Sequence, residues 1–518
     1  MYKNGDQKEI SNIFWWIKTN SALLLNAGSL VGTSGVTSAL GFIYWWLAAR
    51  SFSPGVVGLA SAAISAMALL GAFSVVGLST LLLGELQRHR TQATSLISAA
   101  LLLVGVIGGG VGVGYAALAP YISNDFRSMG GNILDILLFA GGVSLTAVTL
   151  VLDEAMIGLL LGGLQLWRNT LFAGIKLVTL FFFSLWFSRV TGMMIYMTWV
   201  IGNLFSLTIL GIFILLRWRR PLRCYRPHWG LLRQMGPSAL KHHMLNLTLQ
   251  APSLILPVLV TVMLSASANA WFYVAWNLTS ISNVISSSLT MTLYAVSAAS
   301  LATLARKMRL TLGLAFVACI LIAALLLFDT RQVLTLFGHS YYAQAAFSLR
   351  LLAVESLPFI IKTHYIALSR IHNQITRTFF VTIGTGILEL SCAALGAHLG
   401  GLNGLSLGWF CAMCMEAIVM APTVYKAARV VKVTDMTSIK ASSVAEDAIW
   451  LADTLVLTAI YRASTGNMPQ PIMKSYVPDT PRPRMRPVRL QPLPSSEETG
   501  MEGVLEYQSF EQHAENAY

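Results

Sequence analysis

A chain of 518 residues that is 55% hydrophobic and only 11% charged is not a soluble globular protein, in which about a quarter of the residues carry charge. The formal net charge is +13 and the mean hydropathy +0.66. The positive residues cluster in short stretches between apolar runs, which points to orientation in a membrane rather than to nucleic acid. Five cysteines give no disulfide framework, and no period-2 alternation marks a β-barrel.

Residues 1–20 turn from polar to aromatic, and Phe14, Trp15, Trp16 and Lys18 read as an interfacial segment. Apolar runs then predict an all-α membrane protein with about twelve spanning helices. The first six fall near 21–49, 55–84, 93–119, 132–155, 170–188 and 192–216. The second six fall near 237–264, 269–301, 310–328, 345–368, 375–398 and 402–424. They divide into an N-lobe, 21–216, and a C-lobe, 237–432, joined by a basic linker, 217–236. Residues 433–518 are amphipathic, then Pro-rich and basic, then acidic, and read as a disordered cytoplasmic tail. Lys and Arg in alternate loops predict cytoplasmic N- and C-termini.

The two halves echo each other at LAARSFSPGVVGLASAAISA and LVTVMLSASANAWFYVAWNLTSIS, as parallel six-span repeats would. The first span of each half is irregular. One carries Gly28, Gly32, Gly35 and Gly41; the other carries Pro252 and Pro257, each of which removes a backbone donor and predicts a hinge or broken helix. Paired interruptions of this kind point to a central binding site, whereas glycines alone also serve close helix packing. Pro358 predicts a further kink in the tenth span.

Charges inside apolar runs are costly and mark candidate function. Lys176 lies in the fifth span and Lys241, His242 and His243 open the seventh. Lys176 and Lys241 fall within two turns of the predicted cytoplasmic surface, so snorkelling also accounts for them. Glu355 and Lys362 are seven apart and share a face of the tenth span, where a structural ion pair is the alternative. Glu389 sits mid-span, Glu416 lies in the twelfth span, and Asp153 and Glu154 mark an inner boundary or a buried site. Cys411 and Cys414 form a CxxC on an apolar helix and read as core residues. No nucleophile–base arrangement, nucleotide-phosphate loop or metal cluster is evident, so neither an enzyme nor a cofactor is expected.

Four stretches resemble the Wzx-type (O-antigen) polysaccharide flippases of the multidrug/oligosaccharidyl-lipid/polysaccharide superfamily. They are GFIYWWLAARSFSPGVVGLASAAIS, LLGGLQLWRNTLFAGIKLVTLFF, FGHSYYAQAAFSLRLLAVESLPFIIKTHYIALSRIHNQ and LGGLNGLSLGWFCAMCMEAIV. The resemblance covers roughly residues 20–430 and leaves out the tail. It implies two pseudo-symmetric six-helix lobes in a MATE-like V. It implies alternating access for a polyprenyl-diphosphate-linked oligosaccharide in the bacterial inner membrane, alongside a glycan polymerase and glycosyltransferases. On that basis Lys241, Lys362, Lys176 and His242 are candidates to attract the diphosphate, because cations offset its dehydration. Glu355 and Glu389 are candidates for ion coupling. The alternative within the superfamily is a cation-coupled multidrug antiporter, which usually carries an acid in its first span; Leu23 to Ala49 contains none. A major-facilitator transporter fits less well, because GELQRHRTQ lacks the Asp and second Gly of that family's loop.

Overall fold

The structure, a computed structural model, describes residues 21–86, 92–218, 227, 229–297 and 304–429. The segments 1–20 and 433–518, and residues 219–226 and 228 of the basic linker, lie outside the described residues.

Among the described residues the regular structure is helical throughout. The first half contains α1 (Ser21–Ser51), α2 (Pro54–Ser74), α3 (Leu78–Glu85), α4 (Ala93–Ile122), α5 (Arg127–Gly130), α6 (Ile133–Gly158), α7 (Gly162–Trp186) and α8 (Gly192–Trp218). The second contains α9 (Trp229–Met263), α10 (Ala266–Ser297), α11 (Leu304–Phe328), α12 (Thr330–Thr335), α13 (His339–Ile371) and α14 (Ile375–Arg429). Nine of these are long and apolar enough to cross a membrane. Large apolar side chains such as Val106, Leu321 and Val419 stay exposed on their outer faces, as lipid contact requires.

Several expected boundaries move. The second span is two helices, because Val76 and Gly77 take positive φ (48° and 84°) and break the rod between α2 and α3. The fifth span begins at Gly162 rather than near 170, since α6 ends at Gly158 and a tight turn through Leu160 (φ 61°) follows. The eleventh and twelfth spans form one run, α14, folded back at Gly400 and Gly401. Gly401 has φ 59° and ψ −140°, a region open essentially to glycine alone. Beyond that turn the two arms touch backbone to backbone, and a Cβ on Gly408 would overlap the Cys392 carbonyl. Gly408→Val is therefore expected to cost about 1–3 kcal/mol by overpacking; an unchanged melting temperature of the detergent-solubilised protein would contradict this packing.

Helix α9 runs unbroken through Pro252 and Pro257, and α13 through Pro358. No break interrupts either helix at these prolines in this structure, and their role as hinges belongs to the transport cycle proposed below. At Pro252 the reason is packing: its ring seats against Gly386 of α14, where the absent side chain leaves room.

In the first half α4 packs on α6, α1 on α7, α7 on α8, and α2 on both α6 and α8. In the second, α13 packs on α10, α11 and α14, and α9 on α14. The halves meet where α2 runs along α10 and where α9 crosses α2, α3 and α4. At the Arg50 end the seam is specific. Arg50 Nε donates to the Leu336 carbonyl at 2.7 Å, the Asp125 carboxylate accepts the Ala266 N–H at 2.8 Å, and Asn269 Nδ2 donates to the Gly58 carbonyl at 2.8 Å. Trp45 and Tyr273 meet edge to face across the same seam, their centroids 4.8 Å apart.

Candidate functional site

Among the described residues the largest concentration of buried charge lies in the second half. Glu355 and Lys362 project from one face of α13, two turns apart. Glu389 and Glu416 come from the two arms of α14; the fold at Gly400–Gly401 brings these two positions, 27 residues apart, level with each other. All four side chains are buried. Lys362 forms an ion pair with Glu389 and a second with Glu416, the latter at 2.9 Å. The alternative of a Glu355–Lys362 pair is thus corrected: Lys362 has two other carboxylates, and Glu355 is left with a buried oxygen, Oε2, that has no hydrogen-bond partner. Asn283 and Trp409 are the neighbours of Glu355.

These residues border a cavity of about 340 Å³. Glu355, Lys362, Glu389 and Arg370 line it, with Gln250 and Pro252 from α9, Ser287 from α10 and Trp409 from α14. Glu416 lies behind Lys362, outside the lining. Arg370 belongs to the last turn of α13. It is half-buried, and its Nη2 donates to Asn246 Oδ1 at 3.2 Å. From the sequence Glu416 stands out only as a charge in an apolar run; its pairing with Lys362, and the place of Arg370 at the cavity, arise when α9, α13 and α14 pack together.

Lys176 occupies a different site. It is 14 residues into α7 and only 5% exposed, so the snorkelling alternative is corrected. Its ammonium lies 3.7 Å from the Trp199 ring centroid, 4.7 Å from Phe172 and 5.2 Å from Tyr44. Such faces attract a cation through their quadrupoles, more strongly when the group is out of water. Among the described residues no carboxylate pairs with it. Tyr44 is fixed by its hydroxyl, 2.7 Å from Thr198 Oγ1, and Gly202 lets α8 approach Phe172 and the Lys176 stem.

The remaining candidates separate. Lys241 and His242 fall on α9, but their side chains lie outside the described residues. His243 is buried beside the Ala72 backbone of α2 and, with Glu154, lines a gap of about 40 Å³ between the halves. His364 faces away from the cavity, its Nε2 3.2 Å from Thr311 Oγ1 of α11. Asp153 accepts from Arg168 Nη2 at 2.8 Å and from Asn169 at 3.1 Å, a buried pair between α6 and α7 rather than a boundary marker. Cys411, expected in the core, is exposed, and Cys414 is half-buried. No group of three metal-ligating side chains occurs among the described residues.

No protein-family model and no curated relative matches the chain. Solved structures do. An inward-facing conformation of a multidrug resistance MATE family transporter of the MOP superfamily is 16% identical with a TM-score of 0.54, covering 79% of this chain and 96% of that one. The outward-facing conformation of a multidrug resistance MATE family transporter is 15% identical with a TM-score of 0.54, covering 79% and 95%. A MOP superfamily transporter from Pyrococcus furiosus, described as having a binding pocket of reverse polarity that suggests a different function, is 16% identical with a TM-score of 0.53, covering 80% and 96%. At these identities the likeness reaches the fold, and the fold of this chain is that of the MATE transporters of the MOP superfamily.

Proposed function

We propose that this chain is an alternating-access transporter that flips a polyprenyl-diphosphate-linked oligosaccharide from the cytoplasmic to the outer leaflet of a bacterial inner membrane. The observation that carries this reading is Lys176: a buried ammonium held by three aromatic rings and paired with no carboxylate among the described residues. An uncompensated cation in a low-dielectric interior favours an anionic cargo and opposes a cationic one. Aromatic faces beside it suit the apolar faces of sugars. Lys241, His242 and Lys362 extend the positive character in this reading, and Glu355 or Glu389 supplies ion coupling. Pro252, Pro257 and Pro358 serve as hinges where their helices flex during the cycle. The partners are the lipid-linked glycan, the bilayer, and the polymerase and glycosyltransferases of the same synthesis.

A second reading is a cation-coupled multidrug antiporter. The unpartnered Glu355 oxygen favours it, because an open buried carboxylate also accepts a cationic drug. Competition separates the two. With the purified full chain in nanodiscs, a polyprenyl diphosphate is expected to raise the melting temperature, and Lys176→Met to remove that shift. Stabilisation by a lipophilic cationic dye but not by the polyprenyl diphosphate would move the assignment to the antiporter.

A further inference from the structure

In this structure Lys362 is already held by two carboxylates. Its ammonium bridges Glu389, which lines the cavity, and Glu416, which lies behind it. A lysine held by two buried carboxylates has no spare charge to offer a phosphate. Yet it borders the cavity itself, and its side chain is 11% exposed, against 3% for Glu389 and 1% for Glu416. The lysine is thus the most exposed of the three side chains, and Glu416 alone lies outside the cavity lining.

We propose that Lys362 is a tethered counter-ion. It exchanges between the Glu389–Glu416 pair and the anionic group of a cargo in the cavity, and a monovalent cation from solution takes its place on the carboxylates. The inference rests on the anionic-cargo reading above and gives that cargo a coupling step. The charge balance requires it. If the ammonium left alone, two carboxylates would remain side by side in a dry interior, which is strongly unfavourable. One cation in for one ammonium out keeps the total constant. The incoming cation needs a first contact, and Glu355 Oε2 offers it: buried, without a partner, and on the same cavity wall. No atom of the lysine needs to travel far, because its four-carbon stem is flexible.

The other ionisable groups near this exchange are few. Arg370 on α13 lines the cavity, and Tyr294 on α10 is near it. Thiols of Cys319 on α11 and Cys414 on α14 lie near Glu355, and that of Cys392 near Glu416. Arg370 is the one further cation bordering the cavity among the described residues, and its tie to Asn246 gives it no carboxylate to exchange with. A proton and a sodium ion satisfy the carboxylates by the same chemistry, and the test tells them apart.

The probe is inorganic pyrophosphate, titrated into the full chain in detergent by calorimetry at constant ionic strength. Replacing choline by sodium at fixed pH is expected to tighten binding by about fivefold or more if sodium is the replacing ion. A change from mildly alkaline to mildly acidic buffer does so if it is the proton. Glu416→Gln, which leaves Glu389 to hold the lysine, is expected to bind more tightly at the outset and to respond less. Lys362→Met is expected to bind weakly and to respond to neither cation, which also corrects for protonation of pyrophosphate. Lys362-dependent binding that ignores both sodium and acid would overturn the exchange and leave the anionic-cargo reading standing. Equal binding and equal response in wild type and Lys362→Met would overturn the role of Lys362. Absence of pyrophosphate binding in every form would overturn both the exchange and the reading on which it rests.

Discussion

Lys362→Met is expected to abolish transport and to destabilise the protein by about 3–5 kcal/mol, the usual cost of removing one partner of a buried ion pair. The magnitude follows from what is left behind. Glu389 and Glu416 lose the cation between them, with Glu355 on the same wall, so like charges face each other away from water. Neutral replacement of all the partners distinguishes a stability role from a functional one. Lys362→Met combined with Glu389→Gln and Glu416→Gln is expected to regain most of the lost stability, because a buried ion cluster exchanged for neutral groups is often close to neutral in energy. Transport should remain absent in that triple variant. Full recovery of transport together with stability would reduce the cluster to a structural brace. Melting temperature and initial transport rate, measured on the same preparations, decide between them.

The second large effect is expected at Gly58. This residue lies where α2 crosses the start of α10, and a Cβ there would overlap the Ala266 backbone carbonyl. The Gly58 carbonyl also accepts from Asn269, so the two helices are held at this distance by a direct bond. Gly58→Val cannot coexist with the seam as it stands, and backbone on both sides leaves no flexible neighbour to yield. Overpacking of this kind costs about 1–3 kcal/mol. In the alternating-access cycle proposed above, the penalty falls only on the state in which this seam is closed, which shifts the balance between conformations by about 5–150-fold. Transport is expected to fall sharply while folding is preserved. A cysteine placed at Arg50, whose guanidinium ties to Leu336 across the same seam, is expected to become more reactive toward a water-soluble maleimide in the Gly58→Val background. Unchanged reactivity and unchanged transport would show that this seam does not open in the cycle.

Much of the fold was legible because its determinants are local. Apolar runs of spanning length, the Gly-rich turn at 398–402 and the Pro54 start of α2 each leave a mark in the chain. The division of the second span at Val76 and Gly77 was not legible. A positive φ at valine has no local signal and persists only because packing around it imposes the bend. The candidate site was half legible. Glu355, Lys362 and Glu389 stand out as charges in apolar helices, and helical spacing alone puts the first two on one face. Their pairing was not available from spacing. Lys362 finds Glu389 and Glu416 because the α14 hairpin packs on α13, a contact between residues 27 and 54 positions away in sequence. Lys176 shows the same limit from the other side. Its ring box draws Tyr44, Phe172 and Trp199 from three helices, and only Phe172, one turn away, is visible from the position of the lysine. The prolines taught the opposite lesson. They suggested a break, whereas the continuous α9 and the Pro252–Gly386 contact make them part of the packing.

The most direct measurement is transbilayer movement of a fluorescent polyprenyl-diphosphate sugar in liposomes that contain the purified chain. A membrane-impermeant reductant reads how much lipid is exposed in each leaflet over time. Movement well above protein-free vesicles, lost in Lys176→Met and Lys362→Met, is the predicted result. No movement of any polyprenyl-diphosphate sugar, in vesicles where the same protein extrudes a cationic dye under an imposed ion gradient, would contradict it.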